Sequence, residues 1–202
     1  MAHEFAILQA ARLKGRLSPQ LAADSCGIDA ETAEAELAAL REAGFVKGEP
    51  SVRLTPEGRE RLAELVRAER EGVDQQALTA LYEEFDEHNT ALKRIVSDWQ
   101  LKDGSPNDHT DAGYDRAVIE RLAALDTDFQ PLVARIAQVA PRLAVYSRRL
   151  GTAIEKIRGG DTSFVARPIA DSYHTVWFEF HEELIGLLGR TREEEAAAGR
   201  AV

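Results

Sequence analysis

The spacing of hydrophobic and polar positions predicts three short helices at the start of the chain. Residues 4–14 place apolar side chains at helical spacing. Ser18 and Pro19 predict the start of a second helix, because serine caps a helix N-terminus and proline fits its first position. Asp29 is the expected cap of a third helix, which ends at Gly44. Its predicted buried face carries Ala33, Leu37 and Leu40.

Two short apolar runs after the third helix predict a β-hairpin. They are Phe45-Val46 and 52–54, and they flank a polar turn over 47–51. Thr55 then caps a fourth helix that ends near Gly72. This order of three helices, a hairpin and a helix is that of a winged helix-turn-helix domain with a hairpin wing, which we assign to residues 1–72.

The remaining chain has the pattern of a helical bundle. Asp74 is the expected cap of a long helix reaching about Gln100, and a polar loop over 103–111 follows. Further helices are predicted over 113–125, from Asp128 with Pro131 in its first turn, from Pro141 to Gly159, and from Pro168 to Leu188. The fold class is therefore mainly α, with an antiparallel bundle over 73–190. A flexible charged tail is expected over 191–202.

Composition and local sequence features add three constraints to this picture. The net charge is −10, and even the first 60 residues carry 7 Lys/Arg against 10 Asp/Glu, which argues against a broad DNA-binding surface. No apolar run approaches the ~20 residues of a membrane span, so no membrane partner is expected. The opening residues lack the features of a secretory leader, and Cys26 is the only cysteine, so we expect a cytoplasmic protein.

Candidate DNA contacts lie on the third helix and in the predicted wing. The expected DNA-binding residues are Thr32, Arg41, Lys47 and Arg53. Further phosphate contacts are available from Arg12, Lys14 and Arg16. Because the third helix also carries several glutamates, the alternative is that this domain binds a protein or only positions the bundle.

A second group of candidate residues interrupts the apolar faces of the bundle helices. The predicted ligand-pocket residues are His88, Asn89, Trp99, Tyr173, His174, Trp177 and His181. Buried polar groups need partners, so these residues indicate a hydrogen-bonded core, a metal-free pocket for an organic effector, or a divalent-metal site. The metal site would use His88, His174 and His181 with Asp171 nearby.

Three runs in the first third of the chain resemble MarR-type winged-helix transcriptional regulators. They are LSPQLA at 17–22, LAALREAGFV at 37–46 and LTPEGR at 54–59. The resemblance covers about residues 4–70. It implies a winged-helix fold, binding to double-stranded DNA as a homodimer, and regulation by a small-molecule effector.

A weaker resemblance points to a different class of protein. Residues 12–16, 54–59 and 85–100 are similar to a winged-helix and helical segment associated with actinobacterial PEP-utilising enzymes of the pyruvate phosphate dikinase type. This resemblance extends through residues 171–182. It implies a non-catalytic regulatory or protein-interaction module, since the phosphohistidine and PEP-binding parts of such enzymes have no counterpart in the sequence.

The sequence has no motif of a known catalytic class. It lacks a Gly-rich phosphate loop, a G-x-S-x-G nucleophile turn and an H-E-x-x-H metal motif. We therefore predict no enzyme activity and no cofactor. The favoured interpretation is a transcriptional regulator whose bundle dimerises or senses an effector. The alternatives are the interaction module related to PEP-utilising enzymes and a metal-dependent helical sensor.

Overall fold

The computed structural model of the protein describes residues 3–168 and 170–197. These residues are mainly helical and include two small antiparallel two-stranded sheets. The chain divides into two compact units, Met1–Val73 and Asp74–Val202. No helix in the described ranges is both long enough and apolar enough to cross a bilayer.

The first unit contains four helices and one hairpin within its described residues. In chain order they are α1 (Glu4–Lys14), α2 (Pro19–Cys26), α3 (Ala30–Glu42), β1 (Val46–Lys47), β2 (Arg53–Leu54) and α4 (Pro56–Gly72). The unit has its own buried apolar core, to which all these elements contribute. The element order predicted from the sequence is confirmed.

Side-chain caps start three of these helices where the sequence predicted them. Ser18 accepts a hydrogen bond from the Leu21 amide at 3.2 Å, and Asp29 accepts one from the Thr32 amide at 2.7 Å. Thr55 caps α4 and donates its hydroxyl proton to the Gly44 carbonyl at 2.6 Å. Each cap satisfies an amide at a helix N-terminus that has no partner within its helix.

The hairpin separates an apolar face from a charged face. Val46 is opposite Leu54 and both are buried, whereas Lys47 is opposite Arg53 and both are exposed. This follows from the two-residue period of a strand. Leu17 extends the sheet through reciprocal backbone hydrogen bonds with Val52 at 2.9 Å, a pairing that the sequence analysis did not predict.

The described residues of the second unit form five α-helices of different lengths. They are α5 (Gln75–Gln100), α6 (Ala112–Val139), α7 (Val145–Arg158), α8 (Tyr173–Leu188) and α9 (Arg192–Ala197), with 3-10 turns at Pro141–Ala144 and Thr162–Val165. Helix α6 packs against α5 and α7, and α8 packs against α5 and α7. The interior is lined by aromatic rings, among them Phe85, Phe129 and Trp177.

A short hairpin replaces part of the predicted polar loop. Strands β3 (Leu101–Lys102) and β4 (Ser105–Pro106) pair through a turn at Asp103 and Gly104, whose φ angles are 52° and 79°. Two consecutive residues with positive φ are the requirement of a two-residue hairpin turn, and Asp-Gly is a preferred sequence for it. This Asp-Gly turn signal lies within the stretch that the polar pattern predicts as a loop.

The two helices predicted over 113–125 and from Asp128 are one continuous helix, α6. Pro131 lies in its interior rather than in a first turn. An interior proline removes one backbone hydrogen bond and costs about 3 kcal/mol. The helix continues because its buried face extends on both sides of Pro131, while the proline itself lies on the exposed face. That face is formed by Val118, Leu122, Leu125, Phe129, Leu132, Val133 and Ile136.

The last predicted helix begins later than expected, and the predicted tail is partly helical. Helix α8 starts after Ser172, which accepts a hydrogen bond from the Thr175 amide, and not at Pro168. The serine supplies the cap that a proline alone lacks. Within the stretch expected to be flexible, residues Arg192–Ala197 form α9. Glu195 of this helix is buried and accepts a hydrogen bond from the Tyr82 hydroxyl at 2.6 Å. Ile169 and residues 198–202 lie outside the described residues.

Helix α8 is buried over most of its surface and also carries polar side chains with partners on several other elements. Tyr173 donates to Asp126 of α6 at 3.1 Å, and Trp177 donates to Asn89 of α5 at 3.1 Å. The other three contacts are Glu179 with Arg149 of α7 at 2.6 Å, His181 with Tyr82 of α5 at 2.8 Å, and Glu183 with Arg142 of the first 3-10 turn at 2.7 Å.

Candidate functional site

Lys47 and Arg53 form the centre of a cationic surface on the first unit. The hairpin register places them opposite each other on the exposed face of the two strands. Neither side chain makes an ion pair with a carboxylate among the described residues. Their charges are therefore available to an external anion.

The hairpin and the ends of two helices enclose a groove around these cations. Its volume is about 460 Å³, and it lies between the C-terminal end of α1, the two strands and the first turn of α4. The lining residues are Ala11, Arg12, Gly15, Lys47, Arg53, Leu54, Pro56 and Arg59. Four of these eight residues carry a positive charge and none carries a negative one.

A second groove shares Lys47 and Arg53 with the first. Its volume is about 300 Å³, and it adds Arg16, Gly48, Glu49 and Ser51. We call the two together the basic groove, defined by its cations Arg12, Arg16, Lys47, Arg53 and Arg59. Its one acidic lining residue, Glu49, lies 3.4 Å from the Arg41 guanidinium. The groove is thus locally basic in a chain whose net charge is −10.

Two of the five arginines and lysines are oriented by neighbouring polar atoms. The Arg12 Nε donates to the Gln9 side chain at 3.1 Å, and the Arg59 guanidinium donates to the Leu54 carbonyl at 3.4 Å. Each of these contacts uses one N–H of a guanidinium that has five. The remaining donors of Arg59 can bind phosphate oxygens, which guanidinium groups bind in bidentate fashion.

The structure brings together only part of the predicted DNA-binding set. Lys47 and Arg53 converge, and Arg41 reaches the hairpin loop through Glu49. Thr32 lies elsewhere, because its hydroxyl donates to Asp29 at 2.7 Å within the cap of α3. These hydrogen bonds from the Thr32 amide and hydroxyl lower the pKa of Asp29. Thr32 therefore has a structural role at the helix N-terminus.

Arg59 was missed by the sequence analysis. It lies in the first turn of α4, directly after the hairpin, so the chain itself carries it back to the strands. The signal was available, because Thr55 and Pro56 predicted where the helix starts and hence which residues lie beside the hairpin. Lys14, another expected phosphate contact, does not line either groove.

The exposed surface of α3 has the opposite charge. Glu31, Glu34 and Glu42 are exposed on this helix, where Arg41 is the only cation. Carboxylates accept from cytosine amino groups but repel phosphates. The surface of the first unit that would attract phosphate groups is therefore the basic groove and not α3.

The predicted ligand-pocket residues of the second unit are spread over several environments. Asn89 and Trp177 are fully buried, and the Trp177 indole N–H donates to the Asn89 side-chain oxygen at 3.1 Å. Tyr173 is also fully buried, and burial together with Asp126 raises its pKa well above its usual value. These three are packed core residues, which is one of the interpretations left open by the sequence.

The three histidines lie in different environments. His88 packs on the Phe129 ring with centroids 5.4 Å apart, and His181 is buried beside Tyr82. His174 is half-buried, and this burial lowers its pKa. Within residues 3–168 and 170–197, no three His, Cys, Asp or Glu side chains are grouped so that they could hold a metal ion. Trp99 lies elsewhere in the unit, with its ring tilted against the His109 ring and the two ring centroids 4.4 Å apart.

Comparison with known proteins gives no family to which the chain can be assigned. No protein-family model, no curated protein and no solved structure matches it.

Proposed function

We propose that this chain is a DNA-binding transcriptional regulator whose first unit is a winged helix of MarR type and whose second unit is an antiparallel bundle for dimerisation or effector sensing. The observation that carries the proposal is the convergence of five cations on the basic groove around the hairpin. In a winged helix the hairpin lies against the DNA backbone, where cations replace condensed counterions.

The charge distribution supports a particular mode of binding. The hairpin and the adjoining helix ends contact phosphates, while the acidic α3 contributes little to affinity and at most limited reading of base edges. Phosphate contacts of this kind fix position without specifying sequence. Two copies related by a two-fold axis would double the contacts and bind a palindromic site.

The test is binding of the full chain to its genomic DNA fragments at low and high salt, followed by anisotropy measurements on an enriched fragment. Each phosphate contact contributes about 0.9 to the slope of log affinity against log salt. We expect the double variant Lys47→Ala, Arg53→Ala to bind more weakly and to reduce this slope by about 2 per protomer.

The matched control is Arg67→Ala, which removes one exposed cation of α4 that lines neither groove. It should change both the affinity and the slope much less than the double variant. Absence of salt-sensitive binding by the wild-type protein would contradict the proposal. So would a double variant that binds as the wild type does while keeping its helical content.

A second candidate function is favoured by one observation, the exposed glutamates of α3. On this hypothesis the chain is a non-catalytic regulatory or interaction module related to PEP-utilising enzymes, and its first unit binds a basic surface of a partner protein. The double variant Glu31→Gln, Glu34→Gln distinguishes DNA binding from protein binding. Removing the two negative charges should leave DNA affinity unchanged or strengthen it, whereas it should weaken capture of a basic protein partner.

A further inference from the structure

The second unit has a pocket to which only Trp99 of the predicted ligand-pocket residues contributes. Its volume is about 580 Å³, within the usual range of small-ligand sites. It lies between the end of α5 with its following loop and the 3-10 turn that precedes α8. The lining residues are Trp99, Gln100, His109, Thr162, Ser163, Ala166 and Arg167.

One wall is held in place by a network around His109. The Asn107 amide donates both of its protons, one to the Trp99 carbonyl at 3.1 Å and one to Asp115 Oδ1 at 2.9 Å. The other carboxylate oxygen of Asp115 lies 2.9 Å from His109 Nδ1. Since Asn107 has no proton left for Nδ1, this atom carries its own and donates it to Asp115.

The other nitrogen of the His109 ring is not engaged by this network. His109 Nε2 has no hydrogen-bond partner among the described residues. The ring is packed on Trp99, and the backbone at His109 has a φ of 57°, which is uncommon for a residue other than glycine. Backbone in this region persists where surrounding contacts enforce it, and such residues cluster at ligand sites.

The opposite wall presents a cation and hydroxyl groups. The Arg167 amide donates to the Ser163 carbonyl at 2.9 Å, and the Arg167 carbonyl accepts from the Thr175 hydroxyl at 3.4 Å, so its backbone is fixed on both sides. Its guanidinium is exposed and makes no ion pair within the part of the chain that the structure describes. Thr162 likewise has an unengaged hydroxyl there, whereas the Ser163 hydroxyl donates to Asp161 at 2.6 Å.

We propose that this pocket binds a small organic oxyanion, a carboxylate or a phosphate monoester with a compact apolar body. Arg167 pairs with the anionic group, the Thr162 hydroxyl donates to it, and the apolar body lies against Trp99 and Ala166. Neither of the nearby carboxylates lines the pocket: Asp115 is hydrogen-bonded to Asn107 and His109, and Asp161 to Ser163. The proposal does not depend on DNA binding by the first unit.

The experiment is an NMR titration of the full chain with three probes of the same shape class: phenylacetate, phenyl phosphate and the neutral isostere phenylacetamide. The side-chain signal of Trp99 reports on the pocket, and that of the fully buried Trp177 is the internal reference. We expect saturable shifts at Trp99 with at least one anion, at a Kd no weaker than a few mM. The tighter of the two anions identifies the carboxylate or phosphate class.

Arg167→Gln should weaken anion binding by at least about tenfold, as expected for loss of a charge-assisted hydrogen bond. The matched control, Arg158→Gln, removes an exposed cation at the end of α7 that does not line the pocket, and it should bind as the wild type does. Ala166→Phe fills the pocket without changing charge and should also abolish binding, which guards against a folding defect in Arg167→Gln.

Three outcomes would overturn the proposal. They are no saturable shift with either anion up to about 10 mM, equal binding of phenylacetamide, or unchanged anion affinity in folded Arg167→Gln.

Discussion

At the scale of single residues, Gly58 shows how closely two backbone segments can approach. A Cβ atom at this position would lie 1.9 Å from the Phe45 carbonyl oxygen and 2.8 Å from its carbon, both of them backbone atoms that cannot rotate away. The glycine therefore allows the first turn of α4 to sit directly on the chain that enters the hairpin. Thr55 reinforces this contact, since its amide donates to the same Phe45 carbonyl at 3.0 Å.

We expect Gly58→Ala to reduce the free energy of unfolding of the first unit by about 3 kcal/mol, as for other overpacked sites. Gly72→Ala in the same helix is the control, because no atom lies within 4 Å of the added Cβ. It should be neutral or slightly stabilising. Urea unfolding followed by circular dichroism measures both, and equal stability of the two variants would contradict the close approach.

The residue scale also shows what a sequence can and cannot predict. Ser18, Asp29, Thr55 and Asp74 were predicted correctly as caps because a cap depends on a few neighbouring residues. Lys47 and Arg53 were both predicted in the wing because the flanking apolar runs are local signals, although Lys47 lies in β1 and not in the predicted turn. Of the pocket around Arg167 only Trp99 was predicted, because the pocket walls are separated by more than fifty residues and meet only through packing.

At the scale of elements, α7 and α8 are joined by a buried ionic cluster. The Arg149 guanidinium donates to both oxygens of Asp171 at 2.9 and 3.0 Å and to Glu179 at 2.6 Å. Burial opposes its charge, but the carboxylates of Glu179 and Asp171 outweigh burial and raise the pKa of Arg149. The arginine therefore stays charged, and the cluster depends on both signs being present.

Arg149→Met should destabilise the second unit by about 3 kcal/mol or more, because it leaves the Glu179 carboxylate buried without its cation. Arg135→Met is the control, since it removes an exposed arginine that binds Glu84 of α5 through two hydrogen bonds. Its effect should be much smaller. Both tryptophans lie in the second unit, so fluorescence-detected urea unfolding measures the difference, and similar losses in the two variants would contradict it.

The N-terminus of α6 has a pH-dependent cap. The hydrogen bond from Lys102 and those from the Tyr114 and Gly113 amides lower the pKa of Asp111 to about 2. Because the pKa of Asp111 is lower in the folded state, its charged carboxylate stabilises the fold at pH values above its unfolded-state pKa, near 3.8. This stabilisation is lost as the pH falls towards 2. Carboxyl NMR should show Asp111 titrating near 2, and Lys102→Met should move this pKa upward. An unchanged pKa in that variant would mean that the amides alone set it.

Two wrong predictions at this scale have one cause. The sequence predicts Pro131 in the first turn of a helix that starts near Asp128, and Pro168 at the start of the last helix. Proline is a local signal, whereas the helix through Pro131 is maintained by a buried face that extends over its whole length. At Pro168 the signal was overridden by Ser172, which supplies a side-chain cap that proline lacks.

At the scale of the whole molecule, each unit has its own interior. The core of the first unit includes Ile7, Leu37, Val46 and Leu62, all fully or nearly fully buried within its own elements. We therefore expect residues 1–73 expressed alone to fold. The measurement is far-UV circular dichroism with thermal melting, which should show helical content and a cooperative transition. A fragment without such a transition would mean that the core requires the second unit.

The polar contacts of α8 have a consequence for the choice among alternative packings. Tyr173, Trp177, Glu179, His181 and Glu183 find partners on α5, α6, α7 and the 3-10 turn before α7. A purely apolar helix could slide by one turn, about 5.4 Å, and still bury a similar area. Such a slide of α8 would break all five contacts at once and leave charged groups unpaired in the interior. The buried polar residues thus exclude neighbouring registers, so that the bundle has one arrangement and not several of nearly equal energy.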